Sequence, residues 1–196
     1  MRIITGTAKG TKLKAPKGLD VRPTADRVKE SVFNILSNLK MTDGHPILGA
    51  KVLDLFAGTG NLGLEALSRG ADQVLFVDNS LTSLAAVKDN IASTKLSAHA
   101  ELLKGDSVKL IDRFEQAGRK FTLVFIDPPY NQGLINRVLS KLDSGSILEG
   151  GGLIVVEHSK HEPVTGPFCN LSLLRSERYG ETLVSILVRS TSNNFE

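Results

Sequence analysis

From residue 51 onward the chain repeats one rhythm, a short apolar strand followed by an amphipathic helix. The strands read "KVLDLF", "QVLFVD", "AELLKGD", "FTLVFID" and "GGLIVVEH", and the segments 61–69, 80–93, 107–117 and 132–142 between them carry helical spacing. Strands that are apolar on both faces and alternate with helices predict a parallel sheet covered on either side, with right-handed crossovers. The end of the chain breaks the rhythm. Only Gly180 separates "NLSLLRSERYG" from "ETLVSILVRS", so no helix can intervene and the two strands must pair antiparallel. The predicted fold class is α/β: a Rossmann-like, mostly parallel seven-stranded sheet finished by an antiparallel hairpin.

Upstream of this rhythm, short extended runs punctuated by Gly6, Gly10 and Gly18 predict a small β-hairpin extension over residues 1–20, followed by one domain over 21–196. A helix is expected next, with Thr24 as its cap and Val28, Val32, Ile35, Leu36 and Leu39 on one face. Residues 1–40 hold nine bases against three acids, so the rest of the chain is net acidic although the whole carries +3. Positive charge gathered at one end implies a polyanionic partner, or else a solvated basic tail. No apolar run approaches the ~20 residues that span a bilayer, and "MRIITGTAKG" lacks the pattern of a secretory signal. The single cysteine, Cys169, fits a reducing cytoplasm and reads as a small hydrophobe rather than a nucleophile.

In a sheet of this kind, ligands bind outside the carboxyl ends of the strands. Four successive strand ends carry acids: Asp54, Asp78, Asp106 and Asp127. After the first comes "GTGNLG", Gly58 to Gly63, which formally matches a dinucleotide fingerprint and makes a nicotinamide-dependent oxidoreductase the main rival. A pyrophosphate, however, wants backbone N–H groups and no fixed anion nearby, and Asp54 stands four residues before the first glycine. That carboxylate favours a ligand bearing an ammonium and a sulfonium, as S-adenosylmethionine does. Gly58 and Gly60 would admit the methionine part to close approach. Asp78 suits a ribose diol, and Asp106 with Ser107 suits an adenine amine. Each of these two acids could instead cap the helix that follows it.

"DPPY" gives the fourth strand end a chemical meaning. The lone pair of an aryl amine is delocalised into its ring, and hydrogen-bond acceptors on its N–H groups localise and aim it. Asp127 and the Pro128 carbonyl can be those acceptors, held stiffly because Pro128 and Pro129 fix φ. Tyr130 offers a stacking face, worth roughly 1–3 kcal/mol per base, to a base taken out of its helix. The bland alternative is an ordinary proline-rich turn.

With these motifs in hand, "DLFAGTGNLGLEALSRGA" and "DPPY" resemble class I methyltransferases of exocyclic amino groups. "RIITGTAKGTKLKAP", "VRPTADRVKESVFNIL" and the final "RYGETLVSILVRS" more closely resemble the bacterial RsmD family, which methylates N2 of a guanine in 16S ribosomal RNA. The resemblance implies an enzyme that acts as a monomer in the cytoplasm on 16S rRNA within a 30S particle. It implies S-adenosylmethionine as cofactor and no metal or membrane. It assigns the cofactor to Asp54, Phe56, Gly58, Gly60, Asp78, Asn79, Asp106 and Ser107, and the amino-group chemistry to Asp127, Pro128 and Tyr130. RNA falls to Arg2, Lys9, Lys12, Lys14, Arg22, Thr24 and Arg27 beside the active-site mouth. Two residues depart from the family pattern, Asn61 where a small residue is commoner and Lys29 where arginine is commoner; neither is expected to touch the chemistry, although Asn61 at a helix start could alter cofactor contacts. An adenine-N6 methyltransferase and a non-catalytic RNA-binding assembly factor remain as further alternatives.

Overall fold

The computed structural model describes residues 1–15, 24–40 and 44–191, with only the backbone of Thr24 and Ala25. The expected cap side chain of Thr24, and Lys17 and Arg22 of the basic segment, lie outside the described residues. The elements in chain order are α1 (Thr24–Asn38), β1 (Lys51–Asp54), α2 (Asn61–Ser68), β2 (Gln73–Asp78), α3 (Leu81–Thr94), β3 (Ala100–Lys104), α4 (Ser107–Gln116), β4 (Phe121–Ile126), α5 (Leu134–Ser144), β5 (Leu148–Ser159), β6 (Leu171–Tyr179) and β7 (Thr182–Arg189). The seven strands form one sheet in the order β3-β2-β1-β4-β5-β7-β6. β1 to β5 run parallel, and β7 pairs antiparallel with both β5 and β6. The predicted fold class is the observed one.

Period-2 alternation along the strands sorts the core into two layers. Val52, Leu123 and Phe125 face the side covered by α1, α2 and α3, whose Phe33, Leu36, Leu64, Val87 and Ile91 are buried there. Leu53, Val124 and Ile126 face α4 and α5, meeting Ile111, Phe114, Val138, Leu139 and Leu142. The chain lays down β1, β2 and β3 outward in one direction, then returns to place β4 on the other side of β1. The order therefore reverses between β1 and β4, and a cleft opens at their carboxyl ends.

Residues 1–15 of the N-terminal segment fold back on themselves: Arg2 bridges Lys12 antiparallel, and Ile3, Gly10 and Leu13 donate to the carbonyls of Thr11, Ile3 and Met1 at 2.9, 2.8 and 3.1 Å. The turn between the two arms is held from outside. Ile4 and Thr5 donate to the Glu65 carboxylate at 2.8 and 3.0 Å, and Thr7 and Ala8 donate to the Ser68 carbonyl and hydroxyl at 2.8 and 3.0 Å. The segment is thus moored to α2, with Ile3, Ala8 and Leu13 buried in the common core.

The mooring post is charged and dry. Glu65 is fully buried and pairs with Arg69 at 2.8 Å and with the buried Lys29 at 3.3 Å. Burial lowers the Lys29 pKa, opposed by the Glu65 carboxylate. Removing one partner of such a pair strands the other in a low-dielectric interior. Replacing Glu65 with alanine should cost about 3–5 kcal/mol of unfolding free energy, measured by urea denaturation. A loss below about 1 kcal/mol would contradict the role given to Glu65.

Candidate active site

The cleft at the reversal point is a cavity of about 660 Å³ lined by Asp54, Asp78, Asp106, Asp127 and Glu157, among others. Each acid reaches it from the end of a different strand. Helix α2 begins at Gly60 with no capping side chain of its own. Asp54 fills that role from β1: its Oδ2 accepts the Gly63 N–H at 3.1 Å, satisfying a donor of the first turn and meeting the positive end of the helix. The arrangement needs Gly63, because a Cβ there would lie 2.3 Å from the Phe76 ring. Asp54 is nearly inaccessible, and burial pushes its pKa up to about 7, with the Asp78 charge adding to the rise and the Gly63 hydrogen bond opposing it.

The glycine loop between β1 and α2 is pinned by the neighbouring strand. Ala57 donates to the Val77 carbonyl at 2.9 Å and Gly58 to Asp78 Oδ2 at 2.9 Å, while Asp78 Oδ1 accepts from Ser80 at 2.8 Å. The cap of α3 is Ser80 rather than Asp78. Asp106 does cap α4, accepting from Lys109 at 3.0 Å, and it also faces the cavity. The Ser107 hydroxyl is committed to the Leu55 carbonyl. Phe56, Gly58, Asn79 and Ser107 line the cavity as well. Gly60 is not among the residues that line the cavity, and a Cβ on it would press on Val87, Leu64 and Phe76 at 3.2–3.4 Å. Its φ of +76° and the core explain the glycine without reference to a ligand.

After β4 comes the proline corner. Asp127, Pro128, Pro129 and Tyr130 all line the cavity. The Asp127 carboxyl opens into this concave space with protein around it, and burial, then the Glu157 and Asp54 charges, hold its pKa well above the ordinary carboxylate range. The half-buried Tyr130 donates its hydroxyl to Glu157 Oε1 at 3.1 Å and lies 3.2 Å from the Thr182 hydroxyl. Burial pushes its phenol up to about 12, so it remains a donor at neutral pH. Asn131, at φ +60°, turns the chain onward and donates to Glu162 at 2.6 Å. The sequence analysis missed Glu157. The signal was available, since the apolar run of "LIVVEH" closes on an acid near the carboxyl end of its strand, as acids stand near the ends of the other four.

A second group of residues joins the N-terminal segment to the cavity wall. The fully buried Asn90 of α3 accepts from the Lys14 N–H at 2.8 Å and donates to the carbonyls of Lys14 and Thr59, both at 2.9 Å. Lys29 Nζ donates to the Arg2 carbonyl at 2.6 Å and to Asn61 Oδ1 at 2.7 Å. The two residues expected to stand clear of the chemistry are thus hydrogen-bonded to each other and line the cavity. Met1 and Ala15 line it too, and the side chains of Arg2, Lys9, Lys12, Lys14 and Arg27 are exposed. Arg27 makes no ion pair among the described residues, although Asp26 and Glu30 are near in sequence. No helix among the described residues is long and apolar enough to cross a membrane.

The family model described as conserved hypothetical protein 95 matches residues 1–188. The chain belongs to this family. It is 38% identical to YlbH of Bacillus subtilis over 95% of this chain and 97% of that protein. It is 36% identical to ribosomal RNA small subunit methyltransferase D of Haemophilus influenzae, over 92% of this chain and 89% of that one. The solved structure of yhhF from Escherichia coli has a TM-score of 0.81 at 32% identity, covering 97% of this chain and 98% of the other. The resemblance to the RsmD family drawn from the sequence is borne out, and the fold is that of class I methyltransferases.

The raised pKa of Asp54 carries a stability consequence. Between the unfolded value near 3.9 and the folded value of about 7, the native state holds a proton that the unfolded chain has lost. Stability therefore falls as pH rises through this window and levels off above it. Asp54→Asn keeps a carbonyl oxygen for the Gly63 N–H and removes the charge. The variant should be more stable than the parent above pH 7, by on the order of 2–4 kcal/mol, and the gap should close toward pH 4. Thermal unfolding across this range would read it, and a variant less stable at pH 8 would contradict it.

Proposed function

We propose that this protein transfers a methyl group from S-adenosylmethionine to the exocyclic N2 amine of a guanine in the 16S rRNA of the small ribosomal subunit. The observation that carries the proposal is that Asp54, Asp78 and the Asp127–Tyr130 corner share one cavity. Family membership and the methyltransferase named among its relatives support it further.

The residues present fit such a donor. Asp54 and Asp78 put negative charge where an ammonium and a sulfonium need it, and a diol can share the oxygens of Asp78. Phe56, Asn79, Asp106 and Ser107 line the part of the cavity that an adenine would occupy, and Gly58 has no side chain to obstruct it. When bound, the donor supplies a methyl carbon on a positively charged sulfur. The chain does the rest. Asp127 and the Pro128 carbonyl accept hydrogen bonds from the amine and aim its lone pair, and Tyr130 presents its ring to the base. Asp127 receives the proton that the amine releases on alkylation, a role helped by its raised pKa. Arg2, Lys9, Lys12, Lys14 and Arg27 supply phosphate contacts beside the mouth. An NAD-type pyrophosphate would meet several carboxylates here, which disfavours the oxidoreductase reading.

Incubation with labelled donor and under-methylated 30S subunits, followed by mapping of the modified nucleoside, tests the proposal. Label in N2-methylguanosine at one position is expected, with poor transfer to a short unstructured oligonucleotide; label on adenine would refute the guanine assignment. Asp127→Ala should lower transfer at least about 10³-fold while leaving donor affinity by calorimetry within about threefold. Near-normal turnover in that variant would remove Asp127 from the chemistry. Because a cation binds the ionised form of Asp54 better, donor affinity should rise with pH through about 7 in the parent, and this dependence should vanish in Asp54→Asn.

A further inference from the structure

β4 and β5 run parallel with Ile126 opposite Val156. Asp127 and Glu157 are therefore the next pair beyond the ladder, on strands about 4.8 Å apart, and both line the cavity. Two carboxylates at neighbouring strand ends repel each other unless donors come between them. One oxygen of Glu157 is oriented by the Tyr130 hydroxyl, itself beside Thr182. A carboxylate offers about four lone-pair sites, so this contact fixes the group without exhausting it.

The chemistry of the bases decides what fits such a pair. The amine of adenine is flanked by N1 and that of cytosine by N3, and both ring nitrogens are acceptors. Either base would set a lone pair against the second carboxylate. Guanine alone places a ring N–H beside its amine, so N1–H and the N2 amine form a continuous row of donors. We propose that Glu157 accepts the guanine N1–H while Asp127 accepts from N2, which makes Glu157 the residue that selects guanine over bases whose amine is flanked by an acceptor. This inference rests on the amino-group methyl transfer proposed above. It assigns to the Asp127–Glu157 pair the choice of base, and to the Tyr130 hydroxyl the aiming of Glu157.

The test uses 2-aminopurine, which keeps the 2-amino group but has an unprotonated N1. 30S particles are reassembled from rRNA carrying either guanine or 2-aminopurine at the mapped target. The parent enzyme should prefer guanine by at least about 100-fold in kcat/KM. Glu157→Gln can turn an amide N–H toward an acceptor N1, so its preference should shrink below about tenfold. The change should come from loss on guanine, with 2-aminopurine unchanged or improved. Tyr130→Phe removes the aiming hydroxyl but keeps the carboxylate, and should still prefer guanine. Donor affinity by calorimetry should match the parent in Glu157→Gln, and 2-aminopurine fluorescence gives base capture independently of turnover. A parent that methylates both bases equally, or a Glu157→Gln variant that loses both in parallel, would overturn the proposal and leave Glu157 as a support for Tyr130. Absence of transfer to guanine particles by the parent would instead sink the underlying methyl-transfer reading.

Discussion

The reversal of strand order beside β1 is the constraint on which the site depends. Because β2 and β4 flank β1 on opposite sides, the loops that leave their carboxyl ends diverge and cannot fill the space between them. Whatever residue ends β1 then faces both the start of α2 and the open cavity. Asp54 is that residue, and one carboxylate caps the helix while forming the cavity floor. Asp78 repeats the device one strand over, holding Gly58 and Ser80. The loop geometry and the charge of the site come from the same side chains.

Concentrating Asp54, Asp78, Asp127 and Glu157 around one cavity is unfavourable for the folded chain alone. Burial is the main cause of the raised pKa values of Asp54 and Asp127, and the neighbouring carboxylates add to it. Backbone N–H donors relieve part of it at Asp54 and Asp78, while at Glu157 the relief comes from a phenol. What remains is a field that favours positive charge at one end and clustered N–H donors at the other. A site that stores unfavourable charge in this way trades stability for binding, and the trade is worthwhile only when a complementary ligand is bound.

Much of this was legible in the sequence. Strand–helix alternation gave the sheet, a tight turn at Gly180 gave the antiparallel end, and the position of acids at strand ends gave Asp54, Asp78, Asp106 and Asp127. Local patterns were silent where a long-range partner took the hydrogen bonds. The short extended runs at the N-terminus suggested a hairpin, but nothing local shows that its turn is held by Glu65 and Ser68, some sixty residues away. Gly60 matched a ligand-binding fingerprint, yet its missing side chain answers to Val87, Leu64 and Phe76. Lys29 and Asn61 looked like two unrelated departures from a pattern, because nothing in their own neighbourhoods reveals that they meet.

These long-range contacts also bear on how the two halves of the site work together. The exposed bases of the N-terminal segment ride on a backbone fixed at four places. Glu65 holds Ile4 and Thr5, Ser68 holds Thr7 and Ala8, Lys29 holds Arg2, and Asn90 holds Lys14. Asn90 also holds Thr59 of the glycine loop, and Lys29 also holds Asn61 at the start of α2. Asn90 thus grips the basic segment with two bonds and the glycine loop with one, and Lys29 grips the segment and the cavity wall with one bond each. Side chains that pack without alternative partners transmit displacement rather than absorb it. The backbone that carries the exposed bases and the loop that borders the cavity are therefore coupled through Asn90 and Lys29, and in the function proposed above a polyanion on those bases would be positioned relative to the Asp127–Glu157 pair.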